Sequence, residues 1–191
     1  MAEDRKLRCT ISTYNKFGQS AHLIFSILRS ESYTLQDGIN IRQFMSNDTE
    51  RVREIERASI KYVTPLDQLL YYYEVPKESF LIAEIKDKVV GYIVGNMIES
   101  EEGCKEGHIL DIAVDSAYRR KGVGKILIEN ILEMFKKGGA NKVRLEVKLK
   151  NTEARRFYSQ LGFIENKIVR HYYRMGGHTE DAVFMVKNLY F

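Results

Sequence analysis

The chain is poor in cysteine: Cys9 and Cys104 are its only two, far apart and without a C-x-x-C. That usage argues against a disulfide framework and for a reducing compartment. Metal-binding spacing is missing too. His22, His108, His171 and His178 form no H-x-x-x-H, and Cys104 and His108 straddle a loop-to-strand boundary, so no metal is expected. No apolar run approaches the ~20 residues that cross a bilayer. The longest near the start, Ala21 to Leu28, is too short. The residues before it mix acids with bases and lead to no small-residue cleavage site, which argues against a signal peptide. The expected setting is cytoplasmic, away from membranes. Neither G-x-x-x-x-G-K-[ST] nor G-x-G-x-x-G occurs, which excludes a P-loop and a dinucleotide fingerprint. No repeat or low-complexity tract stands out.

What is present describes one domain with a sizeable core: 191 residues, 44% hydrophobic and 29% charged. A net charge of +4 suits an anionic ligand or weak attraction to RNA or ribosomes. The basic set Lys136, Lys137, Lys142, Arg144, Lys148 and Lys150 lacks interleaved aromatics, so it reads as a solvated face and not as a specific nucleic-acid surface.

Residues 1–37 read as an N-terminal extension of unknown role, and residues 38–191 as the domain. The domain opens with a strand over Ile39 to Phe44. Asn47-x-x-Glu50 then reads as a capping box, with Val52, Ile55, Ala58 and Ser59 at helical spacing. Pro65 opens a second helix that runs through Tyr73. Phe80 to Ile85 and Val89 to Ile98 form a hairpin around Asp87-Lys88, and Glu99 to Gly107 is a loop. A strand over Ile109 to Val114 precedes a helix ending near Gly138-Gly139. Val143, Leu145, Val147 and Leu149 alternate with charges as a strand. A short helix from Asn151 to Leu161 and two final strands complete an α/β sandwich around a mixed, mostly antiparallel sheet with about four helices.

The densest signal is Tyr118-Arg119-Arg120-Lys121-Gly122-Val123-Gly124, a basic glycine-containing turn between an apolar strand and an amphipathic helix. Such a junction points free backbone N–H groups at one spot, where the helix dipole favours an anion. Gly122 and Gly124 let the backbone close on a phosphate, and Arg119, Arg120 and Lys121 add mobile positive charge. The segment reads as a pyrophosphate cradle, against the blander alternative of an ordinary strand–helix junction with solvated arginines.

Arg119-x-x-Gly122-x-Gly124 resembles the acetyl-coenzyme A motif [RQ]-x-x-G-x-[GA] of the GCN5-related N-acetyltransferases (GNAT). Leu145-Glu146-Val147, Asn151, Ala154, Phe157-Tyr158 and Leu161-Gly162-Phe163 resemble a second signature, that of RimI-type and archaeal protein N-terminal acetyltransferases. His171-Tyr172-Tyr173 with Glu180-Asp181-Ala182 resembles a third block of that subfamily. The resemblance spans about Ile39 to Leu189 and implies the GNAT fold, acetyl-CoA as cosubstrate, and protein or peptide N-termini as acceptors. A ribosome or an auxiliary subunit is a further implied partner.

Acetyl transfer to an amine needs a held thioester, a neutral amine, a stabilised oxyanion and an acid for the leaving sulfur. No activated Ser or Cys nucleophile is evident, so transfer is direct. The resemblance implies that Ile112, Ala113, Val114, Arg119, Arg120, Lys121, Gly122, Val123, Gly124 and Asn151 hold the cofactor. It also implies that Tyr158 donates to the sulfur and that Glu146 takes the amine proton. His108 is the rival base. Asn151 and Tyr158, seven apart, are expected on one helix face. An α-amine near pKa 8 is roughly a tenth neutral at pH 7, a deficit of about 1.4 kcal/mol; a lysine near 10.4 faces about 4.6 kcal/mol. One water-linked carboxylate suits the first. Tyr172 and Tyr173 are expected to hold the substrate backbone, and Pro65-Leu66 to frame its first residue. Relatives often carry Pro-Glu there; Leu66 departs from this and suggests an apolar first residue such as Met followed by Leu. The alternatives are a lysine or small-amine acetyltransferase and a non-catalytic subunit on the same fold.

Overall fold

The computed structural model describes residues 33–35, 38–59, 79–100, 103–175 and 177–189. The chain divides into two compact units, residues 1–31 and 32–191, and the described residues belong to the second. Its order is β1 (Tyr33–Leu35), β2 (Ile39–Gln43), α1 (Thr49–Ser59), β3 (Phe80–Ile85), β4 (Lys88–Glu99), β5 (Lys105–Val114), α2 (Val123–Lys137), β6 (Lys142–Lys148), α3 (Thr152–Gln160), β7 (Ile164–Met175) and β8 (His178–Asn188). The helix expected from Pro65 lies outside the described residues.

The strands form one sheet in the order β1-β2-β3-β4-β5-β6-β8-β7. Every neighbouring pair is antiparallel except β5 and β6. Strand β1 falls within the residues read as an extension and pairs with β2 at the sheet edge.

Local chemistry explains most element ends. Lys86 and Asp87 both take positive φ, 50° and 60°, the geometry of a type I′ hairpin turn that matches strand twist. The expected cap Asn47 is replaced by its neighbour. Asp48 accepts the Met45 N–H at 2.8 Å and binds Arg42 through both oxygens, because a single 3-10 turn over Ser46–Asp48 precedes the helix. The loop before β5 is also shorter than expected, since β4 runs on to Glu99 and β5 starts at Lys105.

Two cores flank the sheet. On one face Val123, Leu127, Ile131 and Phe135 of α2 pack with Ile93, Ile109, Leu145 and Met185. On the other, Val52 and Ile55 of α1 pack with Phe44, Phe80 and Tyr92. Among the described residues no helix is long and apolar enough to cross a membrane.

Candidate active site

Strands β5 and β6 are paired only from Glu106↔Lys142 to Ile109↔Leu145. Beyond that vertex β5 stays with β4, and β6 stays with β8. The parting has a visible cause. Val94 pairs with Asp111 and Gly95 with Ile109, so Leu110 is one residue too many in β5, a bulge that bends the strand. From Leu110 to Val114 one edge of β5 therefore has no strand beside it, and its backbone groups call for another partner.

The open end of this gap carries the cradle. Gly122 caps α2 in the left-handed region, φ +83°, with no side chain to occupy the free amides. The first amide of this turn with a helical partner is Ile126 N–H, bound to Gly122 O at 3.0 Å. Val123, Gly124 and Lys125 thus present the unpaired donors of a helix start. A Cβ at Gly122 would meet nothing within 4 Å, and one at Gly124 would lie 3.4 Å from the Phe157 ring. The space in front is open, which fits a phosphate group.

The neighbouring cations differ from the mobile trio expected. Arg119 is a strut: Nε donates to Val114 O at 3.1 Å and Nη2 to Ser59 Oγ at 3.2 Å, tying β5 to α1. Arg120 pairs with Glu153 at 2.8 Å on the surface, and Lys121 lies 5.1 Å from the Tyr118 ring centre. Asn151 stands outside α3 as its N-cap, where Oδ1 accepts the Ala154 N–H at 3.1 Å. The expectation that it shares a helix face with Tyr158 fails for that reason.

At the closed end, the two rival bases form one pair. Glu146 Oε2 lies 2.6 Å from His108 Nε2, and Arg144 Nη2 lies 3.4 Å from Nδ1. With Arg144 donating to Nδ1, the neutral ring carries its proton on Nε2 and donates it to Glu146. The register places His108 opposite Arg144, two residues from Glu146 and so on the same face of the sheet.

Tyr158 reaches the same place from α3, 8% exposed and edge-on to Phe163. Burial first, and then the charge of Asp111, push its hydroxyl well above the ordinary tyrosine range, so it stays protonated. Tyr173 is raised likewise by burial, then by Glu146, Tyr158, Glu180 and Asp111, which gathers these groups around one point. A bulge in β7 turns this segment. His171 takes φ 55° and gives its N–H to Asp181 Oδ1 at 2.9 Å, and Tyr172 stands edge-on to Tyr173 with centroids 5.0 Å apart. Lys148 pairs with Glu180 beside Tyr173. Pro65 and Leu66 lie outside the described residues. Among the described residues no three His, Cys, Asp or Glu side chains gather to hold a metal.

Three groups escaped the sequence reading. Tyr92 Oη donates to Asp111 Oδ2 at 2.6 Å, while Oδ1 accepts the Ile112 N–H at 2.9 Å. The residue as a whole is partly exposed, yet protein atoms crowd its carboxyl. That crowding, opposed by the Tyr92 hydrogen bond and reinforced by the charge of Glu56, pushes its pKa up to about 6. Glu56, on α1, is 3% exposed, and its Oε1 has no hydrogen-bond partner. The signal was a lone acid inside Ile109-Leu110-Asp111-Ile112-Ala113-Val114, passed over because the strand's apolar pattern dominates.

Residues 47–163 match the model of the Acetyltransferase (GNAT) family. An N-alpha-acetyltransferase of Sulfurisphaera tokodaii is 32% identical over 157 residues, which cover 78% of this chain and 92% of that protein. An uncharacterized N-acetyltransferase of Methanocaldococcus jannaschii is 36% identical over 148 residues, covering 77% and 90%. The crystal structure of Ard1 from Thermoplasma volcanium superposes with a TM-score of 0.71 at 31% identity, covering 80% of this chain and 99% of that one.

Proposed function

The chain belongs to the GNAT acetyltransferase family and is an acetyl-CoA-dependent N-acetyltransferase, and from that premise we propose that it acetylates the α-amino groups of protein N-termini. The observation that carries the proposal is the Glu146–His108 pair, 2.6 Å apart, at the closed end of the gap. A carboxylate shared with one imidazole is a modest base. It suits an amine short of neutrality by about 1.4 kcal/mol better than one short by about 4.6. The α-acetylating activity named for the Sulfurisphaera relative supports the same reading.

When bound, acetyl-CoA supplies the activated acetyl group as a thioester. The amides at the start of α2, with Gly122 and Gly124 leaving room, hold its pyrophosphate, and Arg120 and Lys121 lie near enough to swing towards it. The free edge of β5 at Ile112, Ala113 and Val114 takes the extended arm as an added strand would be taken, and Asn151 offers its side-chain amide nitrogen. A cofactor held in this way would leave the vertex residues Glu146, His108 and Tyr158 to act on its thioester. Glu146, oriented by His108, accepts a proton from the amine, and Tyr158 gives one to the departing sulfur. Tyr172 and Tyr173 hold the backbone of the first residues, with Pro65 and Leu66 framing the first side chain.

The acids around Tyr173 favour a second reading, transfer to lysine or a small aliphatic amine, because they would also attract such a cation. Transfer from acetyl-CoA to matched peptides separates the two, one with its α-amine blocked and one with its lysines removed. Acetylation of the lysine-free peptide alone is the expected result. Acetylation of the α-blocked peptide alone would move the assignment to lysine.

A further inference from the structure

Acetylating an amine at neutral pH removes two protons from one nitrogen. The acceptor arrives mostly as R–NH3+, and the products are R–NH–acetyl, a thiol and one proton. One carboxylate and one tyrosine do not obviously serve both departures. The vertex holds a second acidic system on the other strand. Asp111 stands at the bulge of β5, bound by Tyr92 Oη at 2.6 Å and by the Ile112 N–H at 2.9 Å. Behind it, on α1, Glu56 is 3% exposed with Oε1 unpartnered. A buried carboxylate without a partner is held at considerable cost unless a cation comes to it.

We propose that Asp111, held by Tyr92 and backed by Glu56, is a second catalytic carboxylate that receives the substrate ammonium and takes its first proton. The proposal rests on the reading of the chain as an amine acetyltransferase. In the first transfer an N–H bond of R–NH3+ breaks and an O–H bond forms on Asp111, leaving the nitrogen lone pair free. After the N–C bond has formed, Glu146 with His108 accepts the second proton, and Tyr158 gives its own to the sulfur as the C–S bond breaks. The proton on Glu146 restores Tyr158, and the proton on Asp111 leaves through the gap to water. Charge and atoms balance, with one proton released per turnover.

The placement is what the task needs. Asp111 adjoins Ile112, the first residue of the edge assigned to the cofactor's arm, and takes that residue's N–H on Oδ1. It is faced by Glu56 from α1, Tyr92 from β4, Tyr158 from α3 and Tyr173 from β7, with Glu146 of β6 near the same tyrosine. No cation of the described residues is among the groups that set its titration. A pKa near 6 brings the acceptor within about two units of an α-amine, where an ordinary Asp would be about four away.

The test uses Asp111→Asn, whose Oδ1 still accepts the Ile112 N–H and whose Nδ2 can donate to Tyr92 Oη in place of accepting from it, beside Glu146→Gln. In kcat/KM against pH, the Asp111→Asn loss is expected to reach about tenfold or more at pH 6.5 and to shrink to a few-fold above pH 9, where the amine is already neutral. Glu146→Gln is expected to be slow throughout. A second readout needs no turnover: carbon NMR of labelled aspartate in the CoA complex, with the Asp111 signal identified by its loss in the variant. A bound peptide with a free α-amine is expected to lower the midpoint of that signal, and its α-acetylated twin to leave it unmoved. An Asp111→Asn profile parallel to wild type, or an unmoved signal with the free-amine peptide bound, overturns the proposal. Transfer by wild type to lysine or small amines only would overturn the N-terminal reading, and the same profile taken with that amine would still decide Asp111. Transfer to no amine at all would overturn both.

Discussion

Asp111 shows at residue scale how a functional position opposes stability. Its proton is held more tightly in the folded chain, with the pKa moving from 3.8 to about 6, chiefly because burial disfavours the carboxylate. A raised carboxyl contributes its full share of stability below pH 4 and loses it as pH climbs through 6. The shift corresponds to about 3 kcal/mol above that window. Asp111→Asn is therefore expected to match wild type in urea unfolding at pH 4 and to exceed it by about 2–3 kcal/mol at pH 8. Equal midpoints at pH 8 would show that the carboxyl is better solvated than its surroundings suggest. A variant that gains stability while losing rate at pH 6.5 is the pattern expected of strain retained for function.

At the scale of elements, the start of α2 makes a sharp distinction between folding and binding. Gly122 holds φ +83° in open space, so alanine there meets no atom but pays for the left-handed backbone. The expected cost is about 1 kcal/mol of stability. If the amides behind it cradle a pyrophosphate, the added methyl also stands in the anion's approach. Calorimetry should then show acetyl-CoA binding weakened by about tenfold, well beyond what the loss of stability explains. Unchanged affinity would move the phosphates away from this helix. The gap itself belongs to the pairing of strands. The bulge at Leu110 bends β5 away from β6 just beyond Ile109↔Leu145, and the edge it frees is where the cofactor's arm is proposed to lie.

At the scale of the molecule, two cores share one sheet, and β4 contributes to both: Ile93 to one side, Tyr92 and Val94 to the other. Phe135 closes the α2 side so tightly that a Cβ on Gly95 or Gly107 would fall 2.7 or 2.5 Å from its ring. Phe44 stacks on Phe80 at 4.2 Å on the α1 side. Phe135→Ala and Phe44→Ala should each cost about 3–5 kcal/mol. Because the sheet is common, each should lower one shared midpoint, seen alike by far-ultraviolet circular dichroism and tyrosine fluorescence. Two separate transitions in either variant would show that the cores melt independently.

The sequence by itself determined whatever depends on neighbours in the chain. Alternation in Val143 to Leu149 gave β6, the spacing of Val123, Leu127, Ile131 and Phe135 gave α2, and the basic glycine turn gave the cradle, since each pattern reports local backbone geometry. Tertiary structure decided whatever needed distant segments to meet. His108 and Glu146, 38 residues apart, are rivals on paper and one hydrogen-bonded pair in space, because parallel register sets their strands side by side. Arg119 looks like free charge until Ser59, 60 residues away, receives it. Asp111 reads as a blemish in an apolar strand until burial of its carboxyl, Tyr92 and Glu56 supply the surroundings that set its proton affinity. Burial and electrostatic coupling are properties of the assembled fold, and no local pattern of residues encodes them.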